Sequence, residues 1–289
     1  MDLLIVGCGA VGHKIAVSAL QRGVSVNCLV RTEESARRLR ESGLDARALD
    51  LDLQITAPLD AAGEAQMFYL APPPPDGRQD PRIQHFLAAL PAGSKPRIVY
   101  ISTTGVYGDC KGAWVDERRP ANPQVDRARR RRDAELQLLR WREAVGGEVI
   151  ILRVAGIYGP GKLPLARLAK QTPMVGEREA PWTNRIHIAD LVSVCEAAMA
   201  HGRDGECYNV SDGQPGNMRD YFDRVADLFG LPRAPTISLA EGKDQLSAGL
   251  LSYLAESRRL DNRKMIEELG ISLRYPDLAS GLEACRNQS

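Results

Sequence analysis

The fold of this chain is decided by residues 3–16, which read LLIVGCGAVGHKIA and combine a short apolar run, a glycine-rich turn and a helical pattern. Gly7 permits a tight turn, Gly9 lets a pyrophosphate approach the backbone, and Gly12 lets the helix pack closely on the strand. The N-terminus of such a helix presents free N–H groups and the positive end of its dipole to phosphates. A tight turn without a ligand is the alternative, but the flanking strand and helix favour a dinucleotide site.

Apolar runs alternate with helical patterns outward from this turn, through the first half of the chain. Helical patterns cover 10–22 and 33–42, and the runs that read as strands lie at 24–30, 46–49, 66–70, 97–102 and 148–154. Continuous apolar strands separated by helices predict a parallel sheet that is covered on both faces. The expected fold class is therefore α/β, with a doubly wound parallel Rossmann sheet.

The rhythm of the sequence changes after Pro160, where helical patterns dominate at 188–200, 217–229 and 261–269. We expect a dinucleotide-binding Rossmann domain over residues 1–160. A return segment near 184–214 is expected to rejoin it, with a last strand at 206–211. The rest is expected to form a smaller, mostly helical C-terminal substrate lobe from residues 161–183 and 215–289.

The composition excludes several classes of function. The 38 Lys and Arg residues meet 37 Asp and Glu, so the chain lacks the broad basic field of a nucleic-acid-binding protein. No apolar run reaches the roughly 20 residues of a membrane span, and no basic region precedes the N-terminal apolar run. The six cysteines form no CxxC pair and the four histidines are scattered. We therefore expect a cytoplasmic protein with reduced thiols and no metal centre.

The end of the second strand bears on the choice of cofactor. Residues 26–32 read VNCLVRT, and Arg31 stands where NAD-binding proteins carry the acidic residue that bonds the ribose 2′-OH. A guanidinium can bind a 2′-phosphate with two hydrogen bonds, so the sequence favours NADP over NAD. A surface arginine at a strand end is the competing interpretation. The predicted cofactor-binding residues are Gly7, Gly9, Ala10, Val11, Gly12, Arg31, Thr32, Asp50, Leu51, Ala71 and Pro72. The proline run that begins at Pro72 either walls the cofactor or is only a stiff loop.

Later motifs resemble those of the extended short-chain dehydrogenase/reductase family, the group of the NAD-dependent epimerases and dehydratases. They are IVYISTTGVYGD at 98–109, LRVAGIYGPG at 152–161, NRIHIADL at 184–191, YNVSDG at 208–213, NRKMIEELG at 262–270 and RYPD at 274–277. The resemblance implies that Thr103 is a catalytic hydroxyl and that Gly156 meets the nicotinamide. It also implies substrate contacts at Arg185 and His187. Thr104, beside Thr103, and the loop residues Tyr107 and Tyr158 are further candidates for substrate contacts. A threonine-rich strand end without chemistry is the alternative for Thr103.

The helix after the fifth strand departs from the family pattern, which carries Tyr-x-x-x-Lys there. Taking Glu135 as the acidic residue that follows the Lys by four positions, the resemblance puts Arg127 in the place of the Tyr and Arg131 in the place of the Lys. The spacing of residues 127, 131, 134, 138, 141 and 145 places both arginines on the face that packs on the sheet. Their neighbours are expected to be solvated: Arg129, Arg130, Arg132 and Asp133.

This departure leaves the activity open. Arginine does not deprotonate in proteins, so it cannot carry the proton, although it can hold a phosphate, a carboxylate or a developing oxyanion. One hypothesis is an NADP-dependent oxidoreductase or epimerase/dehydratase-like enzyme for a small polar or nucleotide-linked molecule, with Thr103, Arg127 and Arg131 as its catalytic residues. The other is a dinucleotide-binding sensor without turnover. A nucleic-acid module is disfavoured, a membrane partner is not expected, and a homodimer is left open.

Overall fold

A seven-stranded parallel sheet forms the centre of the computed structural model, which describes residues 2–59 and 66–287. The outer limits of the two predicted domains, residues 1 and 289, lie outside the described residues. Within them the strands are β1 (Asp2–Val6), β2 (Ser25–Val30), β3 (Asp45–Ala48), β4 (Gln66–Tyr69), β5 (Arg97–Thr103), β6 (Trp114–Val115), β7 (Glu148–Val154), β8 (Gly156–Tyr158), β9 (Met174–Val175), β10 (Trp182–Thr183), β11 (Arg185–His187), β12 (Cys207–Val210), β13 (Gly216–Asn217), β14 (Thr236–Ile237) and β15 (Arg259–Leu260).

Eleven α-helices accompany these strands in the same part of the chain, together with a 3₁₀ turn at Thr104–Tyr107. They are α1 (Ala10–Gln21), α2 (Glu33–Glu41), α3 (Pro81–Ala88), α4 (Asp126–Val145), α5 (Leu165–Ala169), α6 (Ile188–His201), α7 (Met218–Leu228), α8 (Leu239–Gln245), α9 (Ala248–Leu254), α10 (Arg263–Leu269) and α11 (Leu278–Arg286).

The strand order of the central sheet is β12-β7-β5-β4-β1-β2-β3, and every neighbouring pair is parallel. The predicted α/β class with a doubly wound parallel sheet is confirmed. The last strand also returns to the sheet as expected, because β12 pairs with β7 over Cys207–Val210. In an open sheet of this kind, ligands bind in the crevice beyond the carboxyl ends of the strands, where the strand order reverses.

Two buried clusters cover the two faces of the sheet. One includes Ile15 of α1 and Leu191 of α6, and the other includes Phe86 of α3 and Leu138 of α4. A third cluster lies in the C-terminal part of the chain and gathers Leu168, Phe222 and Leu250, among others. This cluster supports the predicted substrate lobe, although the division of the chain into two domains stays a prediction.

Helix α4 corrects one expectation. Ala134 and Leu138 are fully buried against the sheet, as their spacing predicts. The expectation that Arg130 is solvated is wrong, because this residue is only 7% exposed and donates a hydrogen bond to the carbonyl oxygen of Gly77 at 2.6 Å. The neighbouring Asp133 is also engaged and accepts from the backbone N–H of Asp80 at 2.8 Å. The loop between β4 and α3 therefore packs on the face of α4 that was expected to meet water.

Candidate functional site

A cavity of about 460 Å³ opens beyond the carboxyl ends of β1, β2 and β4. The glycine turn forms one wall, and its first glycine fits tightly. Gly7 has a φ of 86°, and a Cβ built on it would lie 2.5 Å from the backbone nitrogen of Ala71. The turn after β1 and the segment after β4 therefore touch directly. Seven predicted cofactor residues line this cavity: Gly7, Gly9, Arg31, Asp50, Leu51, Ala71 and Pro72.

The other predicted cofactor residues of this region do not line the cavity. Ala10, Val11 and Gly12 form the first turn of α1. A Cβ on Gly12 would lie 3.0 Å from Ile5 and 3.2 Å from Leu70, which agrees with a packing role. The side chain of Thr32 caps α2 by accepting the N–H of Ser35. Of the three glycines of the turn, only Gly9 both borders the cavity and has open space around its α-carbon, with no heavy atom within 4 Å of an added Cβ.

Arg82, which the sequence did not predict, fixes the proline loop against this cavity. Its guanidinium forms two hydrogen bonds with Asp52, at 2.6 and 2.7 Å, and donates to the carbonyl oxygens of Pro72 and Pro73 at 2.9 and 3.3 Å. The hydrogen bond from Arg82 lowers the pKa of Asp52 below its usual value. Arg82 therefore holds the proline loop in place beside the cavity, which supports the interpretation that this loop walls the cofactor site. No local sequence pattern marks Arg82, which lies 30 residues from its carboxylate partner.

A second cavity, of about 540 Å³, lies beyond the ends of β5 and β7 and is closed by the C-terminal part of the chain. It brings together six predicted site residues: Thr103, Thr104, Arg127, Gly156, Tyr158 and Arg185. A further group of aromatic and charged residues in its wall was not predicted from the sequence, because these residues come from segments without a recognisable motif. They are Trp182, Tyr221, Phe222, Tyr253, Glu256 and Arg258.

The two inward arginines of α4 both contact protein groups. Arg131 donates to the carbonyl oxygen of Ile101 at 2.9 Å, at the carboxyl end of β5. Arg127 reaches the C-terminal segment instead. Its guanidinium donates to the hydroxyl of Ser252 at 2.6 Å, lies 3.9 Å from the ring centre of Tyr253 and stands 3.7 Å from the carboxylate of Glu256. Arg127 thus bridges α4 and α9 at the wall of the second cavity.

A buried ion pair lies behind Thr103. Glu135 of α4 is fully buried and accepts from the Ser102 hydroxyl at 2.6 Å and from the Arg153 guanidinium at 2.9 and 3.1 Å. Burial acts to lower the pKa of Arg153, but its bonds with Glu135 outweigh burial and the net pKa is raised. This network joins α4, β5 and β7, and it fixes the strand end on which Thr103 stands. The Thr103 hydroxyl itself accepts the N–H of Gly105 at 3.3 Å and borders the second cavity.

The remaining predicted substrate residues divide into two groups. Tyr158 lines the cavity, but its hydroxyl donates to the carbonyl oxygen of Asp277 at 3.3 Å. Burial raises the pKa of Tyr158 far above its ordinary value. Tyr107 and His187 do not line the cavity. The Tyr107 hydroxyl donates to Asn209 at 2.8 Å, and His187 Nδ1 accepts the N–H of Ala189 and so caps α6. Burial lowers the pKa of His187, which favours the neutral form of this imidazole.

Arg185 differs from the other arginines of the second cavity. It is 9% exposed, and its guanidinium stacks 3.9 Å from the ring centre of Tyr221. Burial lowers its pKa. Asp212 lies nearby and donates its backbone N–H to the carbonyl oxygen of Arg185 at 2.8 Å. Burial raises the pKa of Asp212 to about 7, so this carboxyl is only partly ionised at neutral pH.

Within residues 2–59 and 66–287, no three side chains of His, Cys, Asp or Glu are grouped so that they could hold a metal ion. None of the helices in this part of the chain combines the length and the apolar composition that crossing a bilayer requires.

Comparisons with known proteins agree with this architecture. Residues 84–211 match the sequence profile of the NAD dependent epimerase/dehydratase family. Protein YeeZ of Escherichia coli strain K12 is 29% identical over 292 residues, which cover 94% of this chain and 96% of YeeZ. A functionally unknown conserved protein from Silicibacter pomeroyi DSS is 30% identical, with a TM-score of 0.83 over 100% of this chain and 99% of its own. The dTDP-glucose 4,6-dehydratase of Bacillus anthracis str. Ames, solved in complex with NAD, shares the fold, with a TM-score of 0.76 and 16% identity over 99% of this chain and 96% of its own.

Proposed function

We propose that this chain, which belongs to the NAD-dependent epimerase/dehydratase family, is an NADP(H)-dependent oxidoreductase or epimerase/dehydratase-type enzyme that acts on a small polar or nucleotide-linked substrate. The observation that supports this most strongly is the pair of cavities at one edge of the sheet. One lies on the glycine turn, and the other lies over Thr103 and Gly156. Such an arrangement can place a dinucleotide in the first cavity and a substrate in the second.

Features of the residues around the first cavity support dinucleotide binding there. A pyrophosphate needs a backbone that it can approach closely, and Gly9 borders the cavity with no heavy atom within 4 Å of an added Cβ. The N-terminus of α1 follows at Ala10 and favours negative charge there. Arg31 at the end of β2 suits a ribose 2′-phosphate, which supports NADP, and NAD stays the alternative. A bound nicotinamide would supply hydride chemistry to the second cavity.

Within the second cavity, we assign Thr103 to hold an oxygen of the substrate through its hydroxyl. Arg127 lines this cavity and Arg131 lies at the carboxyl end of β5, and we assign both to contribute positive charge that stabilises an oxygen that becomes negative. Neither arginine exchanges a proton, and α4 contains neither Tyr nor Lys. The proton in an enzymatic reaction would therefore come from the substrate, from water or from another residue of the cavity wall.

A second candidate function is a dinucleotide-binding sensor or regulator without turnover. It is favoured by the absence of Tyr and Lys from α4 and by the engagement of Arg127 with Ser252, Tyr253 and Glu256. Both candidates require dinucleotide binding and differ only in the chemistry of the second cavity.

One experiment distinguishes the candidates. Purified protein is first titrated with NADP⁺ and NAD⁺ by calorimetry, and it is then mixed with NADPH and a panel of carbonyl compounds and nucleotide sugars. Substrate-dependent loss of NADPH absorbance, or conversion of a nucleotide sugar found by mass spectrometry and chromatography, is the result expected of an enzyme. Saturable NADP⁺ binding without any conversion would favour the sensor. No binding of either dinucleotide would contradict both candidates.

A further inference from the structure

Four arginines line the second cavity, and they differ in what already holds them. Arg127 donates to Ser252 and stacks on Tyr253, and Arg258 donates to the carbonyl oxygen of Gly108 and pairs with Glu256 at 2.9 Å. Arg167 is exposed. Arg185 is 9% exposed and lines the cavity, yet its guanidinium makes no hydrogen bond or ion pair with any residue in the described ranges 2–59 and 66–287.

A buried guanidinium that makes no hydrogen bond or ion pair destabilises a folded protein. Removing its charge from water costs free energy that only hydrogen bonds or an opposite charge can offset. Asp212 supplies only part of that charge, because burial raises its pKa to about 7. The N–H groups of Arg185 are therefore available to a ligand that enters the cavity.

The surroundings of Arg185 also hold it in one orientation. It begins β11, where it pairs with Gly156 of β8, so its backbone belongs to a parallel ladder at the cavity wall. Its guanidinium carbon lies over the Tyr221 ring, 3.9 Å from the ring centre. Stacking occupies a face of the guanidinium and leaves the N–H groups at its edge for hydrogen bonds in one plane. This is the geometry with which arginine binds a carboxylate or a phosphate through two parallel bonds.

We propose that Arg185, supported by Tyr221, is the anchor for an oxyanion of the substrate, either a phosphate or a carboxylate. This inference rests on the proposed function, because the oxyanion is taken to belong to the molecule that the second cavity binds. The proposed anion site also differs from the one expected from the sequence, which was Arg127 and Arg131 on α4. Arg127 is already bonded to the C-terminal segment, whereas Arg185 lies on β11 and its guanidinium is not bonded to that segment. The walls around Arg185 include Trp182, Tyr221 and Phe222, so small aromatic anions are suitable probes.

The test uses three probes of similar size on protein saturated with NADP⁺, so that the phosphate-binding turn is already filled. The probes are phenyl phosphate, benzoate and benzyl alcohol, which share an aromatic ring and differ in charge. Calorimetry measures their binding to the wild-type protein and to Arg185→Gln, Arg185→Lys and Arg178→Gln. Arg178 is exposed and does not line the cavity, so its variant is the matched control for the loss of a positive charge.

We expect at least one anion to bind the wild-type protein, and benzyl alcohol to bind about tenfold more weakly or not at all. Arg185→Gln should weaken that anion by about tenfold or more, Arg185→Lys should weaken it less, and Arg178→Gln should leave it unchanged. The tighter of the two anions tells whether a phosphate or a carboxylate is preferred. Thermal melting of each variant checks folding, and Arg185→Lys keeps the comparison valid if the Gln variant melts early.

Two results would overturn the inference. One is equal binding of the anions to the wild-type protein and to a folded Arg185 variant. The other is binding of NADP⁺ without binding of either anion, which would leave the proposed function standing and remove only the anchor. Failure of NADP⁺ itself to bind would instead count against the proposed function, whatever the anions do.

Discussion

Replacing Glu135 with Gln should strongly destabilise the protein. The carboxylate is fully buried and accepts hydrogen bonds from Ser102, Arg153 and Arg132. The amide keeps the shape of the side chain but removes its charge, and it leaves the Arg153 guanidinium, whose side chain is 7% exposed, without a counter-charge. Removing one partner of a buried pair costs about 3–5 kcal/mol, a large part of the roughly 5–15 kcal/mol that stabilises a typical protein.

The assay is equilibrium unfolding in urea, followed both by far-UV circular dichroism and by tryptophan fluorescence, since coincident curves justify a single free energy of unfolding. The matched control is Glu143→Gln, an exposed position on the same helix, which should change the free energy of unfolding by less than about 0.5 kcal/mol. A double variant, Glu135→Met with Arg153→Met, removes both charges and should recover much of the loss. If Glu135→Gln costs less than about 1 kcal/mol, the ion pair does not contribute in the way that the structure indicates.

Three further predictions concern the cofactor, the pH dependence and the bridge between α4 and α9. Arg31→Asp should weaken NADP⁺ relative to NAD⁺ by about tenfold or more in calorimetry, and an unchanged ratio would remove the argument for a 2′-phosphate site. Burial raises the pKa of Asp212 from 3.8 to about 7, so its contribution to stability is fully present below the lower value and is lost as the pH rises between the two. In urea unfolding, Asp212→Asn should therefore gain up to about 4 kcal/mol relative to the wild-type protein over this interval and no more above it, and a pH-independent difference would be inconsistent with this. Arg127→Gln removes the contacts with Ser252 and Tyr253, so amide hydrogen exchange in α9 should become faster while exchange in β1 stays unchanged; equal rates in α9 would show that the bridge does not hold this helix.

The sheet could be predicted from the sequence because its signals are local. The apolar run before Gly7 and the helical pattern after Gly9 become β1 and α1, with α1 at Ala10–Gln21 against a predicted 10–22. The last strand, predicted at 206–211, is β12 at Cys207–Val210. Continuous apolar runs of this length are typical of strands that are buried on both faces. Such strands can be recognised without knowing which strand pairs with which.

Long-range packing explains what the sequence did not predict. The spacing along α4 placed Arg131 toward the sheet, where it meets the carbonyl oxygen of Ile101. The same reasoning predicted that Arg130 is solvated. It could not show that the Gly77 carbonyl accepts a hydrogen bond from Arg130, because the two residues are 53 positions apart in the sequence. Arg82, Tyr221 and Glu256 were missed for a similar reason: each reaches a cavity wall only through the packing of distant segments, and none belongs to a motif.

The central claim is that a dinucleotide lies with its pyrophosphate on the glycine turn, and Gly9→Ala tests it most directly. No heavy atom lies within 4 Å of the added Cβ, so the variant should melt at the temperature of the wild-type protein. The same methyl group would stand where the pyrophosphate must approach, so calorimetry should show NADP⁺ binding by the wild-type protein and a loss of about tenfold or more in the variant. Equal affinity for NADP⁺ in the two proteins, or no binding of any dinucleotide by the wild-type protein, would contradict the account.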